Sequence, residues 1–208
     1  MTPEEMRAAV QAAADWNTYV GAHAYTSEAV RRAIDAGAKV IEHGQMIDEE
    51  TMKYAVEKGI WFTSQYLVFA IDVPAFSEAS KRKQKIVLQD TEHFFEMAKK
   101  YNAKLTFGTD LVLGTDPMLQ TKELVVRKKW FSPYEILVQG TSRGGELIAL
   151  SGPRNPYPGK LGVIEEGAYA DLLLVDGNPL ENIDLIGDPE KNFVIIMKDG
   201  QIYKNTLK

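Results

Sequence analysis

Four short apolar runs, "TYVGAHAY", "AKVIEHG", "IWFTSQYL" and "AKLTFGTD", alternate with helix-patterned segments over the first 110 residues. That alternation constrains the fold more than any other feature. Parallel strands need crossovers, and a helix is the usual crossover, so the pattern predicts a parallel α/β sheet. The helices are well signposted. Thr2 and Glu5 form a capping box with Pro3 at the first helical position, and Met6, Ala9, Val10 and Ala13 share one face. "TSEAVRRAIDAG" turns Val30, Ala33 and Ile34 to one side and stops at Gly37. "DEETMKYAVEKG" is capped by Asp48, has Glu49 and Glu50 in its first turn, and stops at Gly59. After a loop with Pro74, a long helix is expected from about Ser77 to Tyr101.

The tail has another texture. "SPYEILVQGTSRGGELIAL" reads as helix behind a second capping box, Ser132 to Glu135, with Trp130 and Phe131 as a hydrophobic staple or as residues that close a pocket. From about Pro153, Gly- and Pro-punctuated strands take over. Asp199-Gly200 between two alternating runs marks a hairpin. A small antiparallel β element is therefore expected beside the α/β part.

Ligands in α/β folds collect at the C-terminal ends of the strands. His23, His43 and Asp110 each close a predicted strand, and the chain has only three histidines. A lone histidine at a strand end is commonly just a polar group bonded to a loop. Three such residues at equivalent positions of successive βα units are a stronger signal. Two imidazoles and a carboxylate suit zinc or a similar divalent ion. Thiolate chemistry is excluded, since there is no cysteine. A net charge of −5 gives no footprint for nucleic acid, and no apolar run approaches the ~18 residues of a membrane span. The acidic, helical N-terminus is not patterned as a signal peptide, so the cytoplasm is the default expectation.

The segments "VGAHAYTSEAVRRAIDAGAKVIEHG", "LTFGTD" and "GVIEEGAYADLLLVDGNPLENI…VIIMKDGQIY" together resemble the amidohydrolase superfamily, in its imidazolonepropionase-like and Xaa-Pro dipeptidase-like branch. The resemblance runs over essentially the whole chain. It implies an α/β fold: the C-terminal half of a TIM-like (β/α)8 metal-dependent hydrolase barrel, strands five to eight, plus a small β-sandwich portion. Residues 1–152 would form the half barrel and 153–208 the C-terminal part of the composite β-sandwich. By the same resemblance His23 and His43 bind a divalent metal, zinc foremost. Asp110 touches the metal and takes a proton from the attacking water. Tyr25, on the same face as His23, polarises the scissile carbonyl, or is simply a packed aromatic at the rim. Gln65 and Tyr66, at the end of the third strand, are candidate substrate contacts.

Other residues read more plainly. Glu42 is expected to point away from His43 and serve as a helix-side partner. His93 is a helix-face residue, "KRKQK" a solvated face and Thr109 a turn residue. In "LVLGTDPMLQ", Gly114 and Pro117 suggest turns, and Asp116 could meet a cationic group.

The family's first strand normally supplies a His-x-His pair and its fourth a bridging residue, often a carboxylated lysine. Neither is matched here. A half barrel leaves two sheet edges and an apolar face to cover, so the expected partners are a second copy of the chain or a missing N-terminal half, beside a small amide or dipeptide substrate. The expected reaction is metal-dependent hydrolysis of C–N bonds, as in Xaa-Pro dipeptides or N-acyl amino acids, with the isolated chain inactive. The alternative is a non-catalytic half barrel or assembly module; a deaminase of the same superfamily is a weaker third.

Overall fold

The computed structural model describes residues 1–111 and 116–207. The first half alternates as the sequence requires: α1 (Pro3–Asp15), β1 (Gly21–Thr26), α2 (Ser27–Ala36), β2 (Val40–Met46), α3 (Glu49–Glu57), β3 (Trp61–Thr63), a single turn α4 (Leu67–Ala70), the long α5 (Glu78–Lys100) and β4 (Lys104–Leu105). The four strands form one parallel sheet in the order β1-β2-β3-β4.

The helix ends are where the side chains predict them. Both halves of the Thr2–Glu5 capping box are made, and the side chains of Asp48 and Ser77 accept from the backbone N–H groups of Thr51 and Ser80. Gly37 closes α2 with φ +106°, a conformation that costs glycine little. A Cβ there would lie 2.9 Å from Val10 Cγ1, so the same glycine lets α1 approach α2.

One face of the sheet is the core. Ala24, Ile41, Phe62 and Leu105, one from each strand, pack with Met52, Phe94 and Phe95 from the helices. Each fully buried aromatic or branched side chain contributes about 1.5–3 kcal/mol by removal from water. The other face carries Gly21, His23 and Tyr25 of β1, in register with Val40 and Glu42 of β2 and with Trp61 and Thr63 of β3.

The third and fourth strands are shorter than the apolar runs suggested. Side chains divert the backbone there. Ser64 Oγ donates to the His43 carbonyl and Gln65 Nε2 to the Thr63 carbonyl at 2.7 Å. Beyond β4, the Phe107 N–H turns to the Gln139 carbonyl. Gln65 and Tyr66 thus follow the strand rather than end it, and Tyr66 immediately precedes α4.

In the second half, α6 (Gln120–Val126), α7 (Pro133–Gly140) and α8 (Ser142–Ala149) precede β5 (Leu172–Val175), α9 (Pro189–Asn192), β6 (Phe193–Lys198) and β7 (Gln201–Asn205). The helical stretch expected from Ser132 onward is broken at Thr141, with φ −130° and ψ −97°. The Ser132–Glu135 capping box forms, and Phe131 and Ile136 on either side of the cap are both buried in the core. Strands β5-β6-β7 form a separate antiparallel sheet, and Asp199 (φ +51°) with Gly200 (φ +75°) makes its hairpin turn. This part shares the core of the first: Ile183, Ile186 and Phe193 belong to the same buried cluster as Phe94 and Phe95.

Candidate active site at the strand ends

His23 and His43 meet, but inside β1 and β2 rather than at their last residues as expected, and Asp110 lies beyond β4 rather than closing it. His43 Nε2 lies 3.1 Å from His23 Nδ1. Simple alternation does not produce this contact, because the β1–β2 register sets Glu42 opposite His23 and Ala24 opposite His43. The register then slips by one residue beyond Ala24, and His43 and Gly44 take φ +83° and +77°. A bulge of this kind re-aims a side chain. It swings the His43 ring onto the face that already carries His23 and Tyr25.

The same register corrects the expectation for Glu42. It lies on the face of His23 and Thr63, not on the helix side. Burial pushes its carboxyl above the ordinary value, with the Thr63 hydroxyl opposing and Asp110 adding to the rise.

Tyr25 stacks on His43 with ring centroids 4.5 Å apart and planes 14° from parallel, and Phe69 meets both rings edge-on. Burial, and next the charge of Asp110, push the Tyr25 phenol up to about 12. It is therefore a hydroxyl donor at neutral pH. His43 is only 3 % exposed. Burial pulls its imidazole below the ordinary value, with His23 second, so the neutral ring dominates.

Asp110 is exposed, with φ +49°. It faces this group closely enough to act on Tyr25, Glu42 and His43. It does not complete a cage: among the described residues no three His, Asp or Glu side chains are grouped to hold an ion. Thr109 accepts from the Leu111 N–H, in keeping with its turn role.

Gln65 is buried behind His43, and its backbone carbonyl accepts from Gln45 Nε2. Among the described residues, His43 Nδ1, Gln45 Oε1 and Gln65 Oε1 are buried without a hydrogen-bond partner. Tyr66 does not join the histidines; its hydroxyl accepts from Lys129 and its ring packs on Trp130. His93 is exposed on α5 beside Glu96. Asp116 accepts from the Met118 N–H, and Gly114 lies outside the described residues.

The strand ends are held by a pair that the sequence reading passed over. Glu123 and Arg127, four apart across the end of α6, are buried at 1 % and 0 % exposure. Arg127 donates to the Ser64 carbonyl beyond β3, the Thr106 carbonyl beyond β4, Gln139 Oε1 and Glu123. Glu123 accepts from the Tyr66 and Leu67 N–H groups at the start of α4. One ion pair thus fixes three chain segments around the histidines. The i,i+4 Glu–Arg spacing was visible, but such pairs usually lie on exposed helix faces.

A model of the amidohydrolase family matches residues 1–205. The chain belongs to the amidohydrolase family. The ochratoxinase of Aspergillus niger is 29 % identical over 98 % of this chain, which covers 42 % of that enzyme. The crystal structure of a prolidase complexed with N-methylphosphonate-L-proline superposes with TM-score 0.89 at 31 % identity, over 99 % of this chain and 50 % of that one. A Xaa-Pro dipeptidase with bound methionine in its active site gives 0.83 at 30 %, over 99 % and 49 %. The chain therefore spans about half the length of its relatives.

Amidohydrolases typically use divalent metals. The residues present fit part of such a site. Two ligand nitrogens on one tetrahedral zinc ion stand about 3.3 Å apart, given Zn–N distances of about 2.0–2.1 Å. His23 Nδ1 and His43 Nε2 are 3.1 Å apart, and His43 is held neutral, as a metal ligand must be. The carboxylate count falls short, so the pair fits as two ligands of a larger set.

Proposed function

We propose that this chain carries half of the active site of a metal-dependent hydrolase acting on C–N bonds of small amides, such as Xaa-Pro dipeptides or N-acyl amino acids. The observation that carries this reading is the meeting of His23 of β1 and His43 of β2, beside Tyr25 and Asp110. His23 and His43 would hold the metal, zinc being one of the ions that suit imidazole, and such a metal would lower the pKa of a bound water towards neutrality. Asp110, exposed next to the pair, takes the water's proton and later returns it to the leaving amine. Tyr25, protonated up to about pH 12, donates its hydroxyl to the scissile carbonyl oxygen as charge develops there. Gln65, whose side chain donates to the Thr63 carbonyl, and Tyr66, which follows it, are the proposed substrate contacts.

The four-stranded sheet corresponds, on this reading, to strands five to eight of a (β/α)8 barrel, divided near residue 152 from a sandwich portion. Among the described residues β1 and β4 each have one unpaired edge. Leu173, Leu174, Ile202 and Tyr203 are 47–68 % exposed on the second sheet. Edges and apolar patches of this kind are covered by something in a working protein. A second copy or an N-terminal half would cover them and supply the remaining ligands.

A second reading is a folded, non-catalytic module. It is favoured by the lack of a three-ligand group among the described residues. A panel of Xaa-Pro dipeptides and N-acyl amino acids, assayed with zinc, manganese or cobalt and with and without an N-terminal barrel half from a relative, separates the two. Hydrolysis that Asp110→Asn lowers by about 10²-fold or more supports the hydrolase. No turnover in any combination supports the module.

A further inference from the structure

The catalytic reading uses the histidine pair, Tyr25 and Asp110, and leaves unassigned the cavity that Tyr25 and Asp110 line. That cavity holds about 390 Å³, within the range of small-molecule sites. Its walls are apolar: Val68 and Phe69 from α4, Phe76 from the following loop and Val87 from α5. The one side-chain amide among them is already committed, since Gln84 donates to the Val68 and Ile71 carbonyls. Away from the exposed Asp110 at the catalytic end, the exposed lining residues are Lys83 and Ile86, the latter 51 % exposed. Its neighbour Lys81 is neutralised by Asp72 at 2.8 Å, whereas among the described residues Lys83 pairs with no carboxylate. A hydroxyl and a carboxylate at the catalytic end, apolar walls and a cation toward solvent make a polarity gradient along one recess.

We infer that this recess is a specificity subsite for a bulky apolar group ending in an anion. The substrate class is then an amide with one flank an aromatic or branched aliphatic body that carries a carboxylate, the carboxylate meeting Lys83. The inference rests on the hydrolase reading for the meaning of "substrate", but the binding it describes needs neither metal nor turnover. Apolar burial supplies the attraction, and Lys83 supplies the choice between an anionic and a neutral tip.

The test is binding of 4-phenylbutanoate, 4-phenylbutanamide and butanoate to the purified, metal-free chain, followed by calorimetry and by NMR shifts of Phe69 and Phe76. The expected order is 4-phenylbutanoate first, with Lys83→Met weakening it about fivefold, to the level of the amide. Ser80→Phe fills the recess and abolishes binding of both phenyl compounds. Lys83 is exposed, so its variant keeps the wild-type melting curve. Equal binding of acid and amide, an unaffected Lys83→Met, or no binding of any probe overturns the inference. Expected binding without hydrolysis of any amide leaves the subsite standing and removes the hydrolase reading. Hydrolysis without discrimination between the probes does the reverse.

Discussion

His43 Nε2 lies 3.1 Å from His23 Nδ1, although it is Ala24 that stands opposite His43 in the strand register. The contact exists because the backbone bulges at His43–Gly44, where both residues have positive φ. The site is thus made by a local departure from strand geometry, and that departure can be removed.

Gly44 is the first target. A Cβ at this position would lie 3.0 Å from Phe62 Cε1, at φ +77°. Gly44→Ala is expected to destabilise the chain by about 1–3 kcal/mol, from backbone strain plus the contact with a fully buried ring. Urea unfolding measures this. A stability change within ~0.5 kcal/mol of zero would mean that the bulge is not enforced by packing.

Arg127 is the second. Its guanidinium is fully buried and serves Ser64, Thr106, Gln139 and Glu123 at once. Arg127→Met leaves the Glu123 carboxylate uncompensated and two carbonyls unpaired, a loss of about 3–5 kcal/mol. The double change Glu123→Leu with Arg127→Met removes both charges and is expected to cost less than the single one. Equilibrium denaturation of both variants checks the order; a double variant that is less stable than Arg127→Met contradicts the account.

The third prediction concerns pH. Burial, then His23, pulls the His43 imidazole below its ordinary 6.5, against smaller raising effects from Asp110 and Gln65. Above 6.5 the ring is neutral in both folded and unfolded chains. As pH falls below 6.5, the unfolded chain takes up a proton that the folded one refuses, so stability falls until the folded imidazole also titrates. The loss is at most about 1.4 kcal/mol per pH unit. Melting temperatures in chelator-treated buffer should decline between about pH 6.5 and 5, and less steeply in His43→Gln. Equal slopes in the two proteins would show that His43 is not the group responsible.

Much of this was legible because local chemistry was unambiguous. The capping boxes at Thr2 and Ser132, the αL stop at Gly37 and the Asp199-Gly200 turn each act within a few residues, so sequence suffices for them. That His23 and His43 share neighbouring parallel strands followed from the βα pattern, although both lie inside β1 and β2 rather than closing them. What escaped depended on contacts distant in sequence. Alternation counted back from His43 sent Glu42 to the wrong face, because nothing in "VIEHG" announces that the histidine itself leaves the strand geometry. The run "IWFTSQYL" ends early as strand because Arg127, 63 residues beyond Ser64, takes that carbonyl. The segment holding α6 carries no periodic or capping signal, and its value lies in one buried ion pair formed with groups distant in sequence.

The central claim is that His23 and His43 are metal ligands. Its most direct measurement is the metal content of the purified chain by inductively coupled plasma mass spectrometry after incubation with zinc and dialysis against metal-free buffer. The same is done for His23→Asn and His43→Asn, each variant also being checked for a wild-type circular dichroism spectrum. The account predicts zinc retained by the wild-type chain, strengthened when an N-terminal half is added, and lost in either folded variant. Zinc retained equally by all three proteins, or by none even with the added half, would contradict it.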